Sequence, residues 1–315
     1  MASVIVKQLS KGYGKVEALK NVSFSVETGE LFGFIGPDGA GKTTLLRILT
    51  TVLSPDSGQA SVEGFEVSEY KKIRQIVGYM PGRFSLYQDL TVEENLRFFA
   101  TVFGTTVEQN YELIKSIYRH IEPFKKRLAG QLSGGMKQKL ALCCALIHRP
   151  RVLFLDEPTT GVDAVSRREF WEMLTELKKK NITILVSTPY MDEAALCDRV
   201  ALMQEGLILS IDTPQAIVNA YSKTLFAISG GKEYRVIKLL QQYPYTESVY
   251  PFGDSVHYID KRPDVHAQEI GNYLHQQGLS EAQVLKAIPD IEDCFIDLMK
   301  KVNKPGQPNS YANGN

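Results

Sequence analysis

Three hundred and fifteen residues make too much chain for one small core and fit one large domain or two. Apolar residues are 43% and charged residues 23%, and 36 Lys plus Arg balance 36 Asp plus Glu. Zero net charge argues against a chain held on nucleic acid by bulk electrostatics, so no nucleic-acid partner is expected.

The apolar stretches fall short of the roughly 18 residues that a membrane-spanning helix needs. Lys139 and His148 bracket the richest of them, "LALCCALI". The opening "MASVIVKQLSKGYGK" lacks the apolar core of a secretory signal, so the sequence reads as cytosolic. Cys143, Cys144, Cys197 and Cys294 form no metal-like spacing and read as small buried apolar side chains. The adjacent pair Cys143 and Cys144 cannot both face one core.

The first 35 residues alternate as short strands, with turns expected at Gly12–Gly14 and Glu27–Gly29. "ELFGFIG" runs into a glycine-rich turn and then a helix, "KTTLLRILTTVL". Strand, glycine turn and helix open an α/β nucleotide-binding domain. A helical region follows from about Thr91 to His148, with Thr91 to Glu94 reading as a capping box. "RVLFLD" and "ITILVST" are unbroken apolar runs, the pattern of parallel strands buried on both faces. Composition shifts after Tyr221. From there the order strand, helix, strand, strand, helix, strand predicts a small α+β, ferredoxin-like domain over 222–303. A helix "IEDCFIDLMKKV" closes it, and the polar tail 304–315 reads as disordered.

"GPDGAGKT" fits G-x-x-x-x-G-K-[ST], with Gly36, Gly39, Gly41, Lys42, Thr43 and, one further on, Thr44. Glycines let backbone N–H groups turn inward around phosphate oxygens at a helix N-terminus. Lys42 supplies a point charge to the β- and γ-phosphates, and the Thr43 hydroxyl can ligate Mg²⁺. "RVLFLDEP" ends a strand in Asp156, a carboxylate able to hold Mg²⁺ through water. The next residue, Glu157, can polarise an attacking water.

"QLSGGMKQKLAL" begins its anion-binding turn at Ser133, 23 residues before Asp156. Ser133 with the N–H groups of Gly134 and Gly135 makes a second anion site at a helix start. LSGG-x-[KQ]-Q at that place resembles the signature of ATP-binding cassette (ABC) proteins. The resemblance covers residues 1 to about 221. It implies a P-loop cassette with a RecA-like core, an antiparallel β subdomain and a helical subdomain at about 85–148. It further implies ATP and Mg²⁺ as ligands, and a head-to-tail sandwich with a second cassette whose signature closes over the nucleotide. Tyr13 matches the aromatic that stacks on adenine in such cassettes, and Asp163 matches the acidic residue of the loop at the dimer interface.

Two positions depart from the family pattern. Gly82 stands where a Gln usually meets Mg²⁺ and water, and Pro189 stands where a His usually contacts the γ-phosphate. Proline offers no side-chain donor and no N–H. Arg83 and Tyr190 are the neighbours able to supply part of those contacts. Asp38 replaces a frequent Asn at a position directed away from the phosphates. Hydrolysis driven by Glu157 at a reduced rate is expected, with a degenerate or regulatory cassette as the alternative.

Because the cassette has no span, the resemblance implies a separate transmembrane permease and a peripheral place on the inner face of the cell membrane. Phe84, Leu86, Tyr87, Phe98 and Phe99 are the candidate docking surface. "FSLYQDLTVEENLRFFA", "LIHRPRVLFLDEPTTGVD" and the appended C-terminal domain look most like ABC-2 type exporters. An importer ATPase is the nearer alternative. A soluble cassette ATPase is disfavoured, because only 91 residues separate Lys42 from Ser133 and there is one cassette. His257, His266 and His275 are expected on a strand, a helix start and a helix end, in packing or surface roles.

Overall fold

A computed structural model describes residues 2–302. The predicted tail lies outside them. Internal contacts divide the chain into two units. One runs up to Gln215 and takes in the residues from Phe295 on; the other is Ala216–Cys294.

The first unit begins with two long strands, β1 (Ala2–Tyr13) and β2 (Val16–Glu27). The turn between them falls at Gly14 and Lys15, while Gly12 stays in the ladder opposite Glu17. The fully buried β3 (Leu31–Ile35) leads into α1 (Lys42–Leu49). That helix stops four residues short of Leu53. Thr50 turns its hydroxyl back to the Leu46 carbonyl and Thr51 takes a left-handed φ of 62°. Next come β4 (Ser57–Val62), β5 (Phe65–Glu66), α2 (Tyr70–Ile76) and β6 (Val77–Met80). The helical segment holds α3 (Val92–Val102), α4 (Val107–Tyr118) and α5 (Gly134–Leu146). Thr91 and Glu94 form the expected capping box on α3, satisfying two backbone N–H groups at the helix start.

The chain then returns through β7 (Val152–Asp156), α6 (Ala164–Lys179), β8 (Thr183–Thr188), β9 (Arg199–Gln204) and β10 (Leu207–Asp212). These strands order as β10-β9-β3-β8-β7-β6, parallel except for the antiparallel edge β10. Every residue of β3, β7 and β8 is buried, which is why they read as unbroken apolar runs. The second sheet, β2-β1-β4-β5, is antiparallel and alternates. One core joins the two sheets: Phe24, Phe32 and Phe34 meet at 5.2–5.9 Å between centroids, around Leu45 and Leu49 of α1. Burying each such side chain contributes roughly 1.5–3 kcal/mol.

The second half of α5, Leu140–Leu146, is apolar on all sides, so both Cys143 and Cys144 are buried. They do look to different surroundings. Cys143 lies near Tyr118 of α4, and Cys144 lines a groove shared with β6. Burial pushes both thiols well up from their ordinary value. Cys197 and Cys294 are buried as well.

The second unit starts within α7 (Pro214–Asn219) and continues as β11 (Leu225–Ser229), α8 (Glu233–Gln242), β12 (Thr246–Phe252), β13 (Ser255–Asp260), α9 (Ala267–Gln276) and β14 (Gln283–Ala287). The sheet order is β12-β13-β11-β14, all neighbours antiparallel, which is the ferredoxin-like arrangement that the sequence order predicts. Tyr258, Leu240 and Leu274 centre its core. The last helix, α10, is Ile291–Val302. His257 on β13 is buried, stacks on Phe252, and donates from Nδ1 to Asp293 at 2.7 Å. His266 caps α9, and His275 meets the Ala282 carbonyl at 3.1 Å.

Candidate nucleotide site

The glycine loop is shaped by close approaches to its neighbours. A Cβ on Gly36 would lie 2.2 Å from the Met203 carbonyl oxygen, so β9 leaves room for glycine alone. Gly41 takes φ 102° at the start of α1, and a Cβ there would meet the Ala18 carbonyl at 2.4 Å. Gly39 also has positive φ, and Asp38 beside it is exposed.

Lys42 is buried, and its ammonium curls back over the loop. It donates to the Gly36 carbonyl at 2.7 Å and the Pro37 carbonyl at 3.0 Å. The same nitrogen is 3.4 Å from Glu157 Oε1. Thr43 donates to Asp156 Oδ1 at 3.0 Å, and Thr44 follows it on α1. β3, α1 and β7 therefore bring together the glycine loop, Lys42, Thr43, Asp156 and Glu157. Hydroxyl and carboxylate oxygens are the donor set a hard cation such as Mg²⁺ prefers.

Sequence reasoning missed Ser187. Its hydroxyl donates to Asp156 Oδ1 at 2.7 Å and accepts the Glu157 N–H at 3.0 Å. Glu157 adopts φ 50°, an uncommon backbone for a residue with a side chain and one met at functional sites. The signal was present in "ITILVST", a buried strand that ends in two hydroxyls.

The second predicted anion site makes its contacts elsewhere. Ser133 caps α5 and accepts the Met136 N–H at 3.4 Å. A Cβ on Gly134 would face the Gly161 carbonyl at 3.6 Å, and one on Gly135 would collide with Ser166 Oγ at 2.5 Å. Asp163 caps α6, and the Ser166 N–H at 3.0 Å holds its carboxyl below the ordinary value. The signature turn and the Asp163 loop thus pack as one assembly. Tyr13, at the end of β1, is 47% exposed.

One of the two departures from the family pattern, Gly82, borders Asp156. A Cβ on Gly82 would lie 3.0 Å from the Asp156 carbonyl oxygen, which sets position 82 against β7. Pro189 follows Thr188 at the end of β8, and the Arg167 guanidinium sits 4.1 Å over the Tyr190 ring. Arg83 is exposed.

A groove of about 430 Å³ opens beside β6, α3 and α5. Phe84, Leu86 and Phe99 line it, while Tyr87 and Phe98 pair edge-to-face at 4.8 Å and stay exposed. The buried Asn95 shapes the rim: it accepts the Tyr87 N–H and donates to the carbonyls of Tyr87, Leu90 and Thr91. Arg74 and His148 are basic side chains along the groove, and among the described residues no carboxylate lines it. Among the described residues no helix is long and apolar enough to cross a membrane.

A parallel sheet whose glycine turn opens a helix beside the carboxylates of a neighbouring strand is a P-loop nucleotide-binding fold. Residues 19–160 match the family described as ABC transporter. The chain is 40% identical over 291 residues to the probable multidrug ABC transporter ATP-binding protein YbhF of Escherichia coli (strain K12). That match covers 90% of this chain and 49% of the relative, so the chain spans about half of YbhF. It is 33% identical over 295 residues to the Nod factor export ATP-binding protein I of Rhizobium sp. (strain N33), covering 92% of this chain and 94% of that one. A solved ATP-binding subunit of an ABC transporter superposes with TM-score 0.63 at 30% identity, over 69% of this chain and 92% of its own. A post-hydrolysis dimer of an ATP-binding cassette bound to ADP and Pi gives TM-score 0.60 at 25% identity, over 67% and 98%. The chain belongs to the ABC transporter family.

Proposed function

We propose that this chain is the ATP-binding and ATP-hydrolysing subunit of an ABC-2 type membrane exporter. The observation that carries the reading is the cluster of Lys42, Thr43, Asp156 and Glu157 around one glycine loop. Residues 1–221 serve as the nucleotide-binding domain and 222–303 as an accessory domain. Triphosphate takes over the bonds that Lys42 now gives to the Gly36 and Pro37 carbonyls, and Tyr13 stacks on the adenine. The N–H groups from Gly39 to Thr44 receive the phosphates. Mg²⁺ held by the Thr43 hydroxyl, and by Asp156 through water, would neutralise charge shared by the β- and γ-phosphates. Glu157, freed from Lys42, accepts a proton from the attacking water.

A second cassette completes the site with its own Ser133, Gly134 and Gly135, and Asp163 lies at that interface. Export by the named relatives, multidrug for YbhF and Nod factor for the rhizobial protein, supports the exporter reading. The apolar groove with Phe84, Leu86 and Phe99 receives a cytoplasmic segment of a transmembrane permease, which places the chain on the inner face of the membrane. Because Gly82 and Pro189 bring no side-chain donor to the γ-phosphate, turnover is slow. Steady-state ATPase against Glu157→Gln tests the reading: a wild-type rate no higher than the variant's overturns it.

A further inference from the structure

Glu193 is a buried carboxylate that the site as described does not use. It lies in the short helical turn Met191–Leu196 after β8 and is 2% exposed. Its Oε1 accepts the Thr159 hydroxyl at 2.8 Å, and its Oε2 accepts the Thr188 hydroxyl at 2.5 Å. Both threonines are buried. The Arg167 Nε stands 3.8 Å from Oε1 and makes no hydrogen bond among the described residues. Burying a charge on two neutral hydroxyls and one distant guanidinium is costly, and an apolar residue of similar volume would pack there more cheaply.

Each of those partners belongs to a segment with a role in hydrolysis. Thr159 is two residues beyond Glu157, and its carbonyl accepts the Val162 N–H at 3.3 Å, just before Asp163. Thr188 precedes Pro189, and its hydroxyl also accepts the Tyr190 N–H at 3.1 Å. Arg167 lies on the first turns of α6, donates its backbone N–H to the Asp163 carbonyl at 2.9 Å, and covers the Tyr190 ring. One carboxylate therefore joins the loop from Glu157 to Asp163, the loop at Pro189 and Tyr190, and the helix that Asp163 caps.

We infer that Glu193 is a positioning residue for ATP hydrolysis, holding the Glu157–Asp163 loop in register with the Pro189–Tyr190 loop. The inference rests on the hydrolytic reading above. With Pro189 unable to offer a side chain to the γ-phosphate, the two loops communicate through Thr159, Glu193 and Thr188. The Glu193 carboxylate is buried on the hydroxyls of Thr159 and Thr188, so it acts on turnover and not on affinity.

The test uses the full-length chain. Glu193→Gln keeps the side-chain volume but removes one acceptor and the charge that Arg167 faces; Thr159→Val removes one hydroxyl. Each should lower kcat on the order of 10- to 100-fold, as small misplacements of reacting groups do, with KM for ATP within about twofold. The double variant should be no slower than the slower single one, because both break one connection. Thr159→Ser should recover the rate lost in Thr159→Val. Losses that multiply in the double variant, or a raised KM at unchanged kcat, overturn the inference.

Should wild type hydrolyse no faster than Glu157→Gln, the hydrolytic reading fails and amide exchange decides the positioning role. Glu193→Gln must then speed exchange at Val162 and Tyr190 while leaving Leu45, bonded to the Gly41 carbonyl, unchanged. Unaltered exchange at Val162 and Tyr190 overturns it.

Discussion

Thr43 on the first turn of α1 donates its hydroxyl to Asp156 Oδ1 at 3.0 Å, across 113 residues of sequence. That oxygen also accepts from Ser187 at 2.7 Å, so two hydroxyls fix one carboxylate at the end of β7. In the proposed function this buried carboxylate is the group that would hold Mg²⁺ through water. Asp156→Asn keeps the shape but removes the charge. Titration of ATP with and without Mg²⁺ should show wild type binding more tightly with the metal and the variant losing most of that increment. A variant that retains the whole increment would place the cation elsewhere.

The second prediction concerns the competition for Lys42. In this structure Glu157 Oε1 lies 3.4 Å from the Lys42 ammonium, which triphosphate must also engage. Glu157→Gln removes the competing charge as well as the proposed general base. Hydrolysis should fall by about 10²- to 10⁴-fold, the usual contribution of a positioned base. Affinity for ATP, followed with a fluorescent analogue, should stay level or rise. A fall in affinity would mean that Glu157 helps to hold the loop open.

The strands and phosphate loop were legible because backbone demands leave marks in residue type. β3, β7 and β8 are buried on both faces and read as apolar runs. Gly36 and Gly41 are glycines because the Met203 and Ala18 carbonyls leave no room for a Cβ. The accessory unit was legible from the order of its elements, strand, helix, strand, strand, helix, strand, which closes as the sheet β12-β13-β11-β14. Thr159 and Glu193 were not legible, and Ser187 was marked only as one of two hydroxyls ending a buried strand. Each is a small or charged side chain whose role arises only when β7 and β8 lie side by side, 31 residues apart in sequence at Asp156 and Ser187. The cysteine pair shows the converse limit. Periodicity correctly separates Cys143 from Cys144, but only the tertiary structure shows that α5 is enclosed on both of those faces.

Contact between the signature turn and α6 supplies a third prediction. Gly135 has room for no Cβ, since one would lie 2.5 Å from Ser166 Oγ and 2.8 Å from Ser166 Cβ. Gly135→Ala should therefore push the start of α5 from the Asp163 loop. ATPase is expected to fall at least tenfold, the order of loss that misplacement of a positioned group brings. Binding of ATP by the isolated cassette at Lys42 should persist. Ser166→Gly removes both clashing atoms, so the double variant should regain activity over Gly135→Ala. No recovery would show that the loss comes from the added methyl itself and not from displaced α6.

The last prediction is a pH dependence set by His148. Its Nε2 donates to the Val77 carbonyl at 2.9 Å, and its ring stacks on Phe103 at 3.8 Å. Nδ1 is buried and finds no hydrogen-bond partner among the described residues. A second proton there would have no acceptor, and burial, more than the bond to Val77, sets the balance: the imidazole pKa is pushed below its ordinary value. An unfolded histidine titrates near about 6.5. Between the depressed folded value and that point the unfolded chain binds more protons, so stability rises with pH across the window. The contribution is complete above about pH 6.5 and is lost as pH falls through the folded value. His148→Gln retains a donor for Val77 and cannot titrate. Urea midpoints measured from pH 5 to 7 should climb less steeply for the variant than for wild type. Parallel curves would mean that His148 is protonated as readily in the groove as in the unfolded chain.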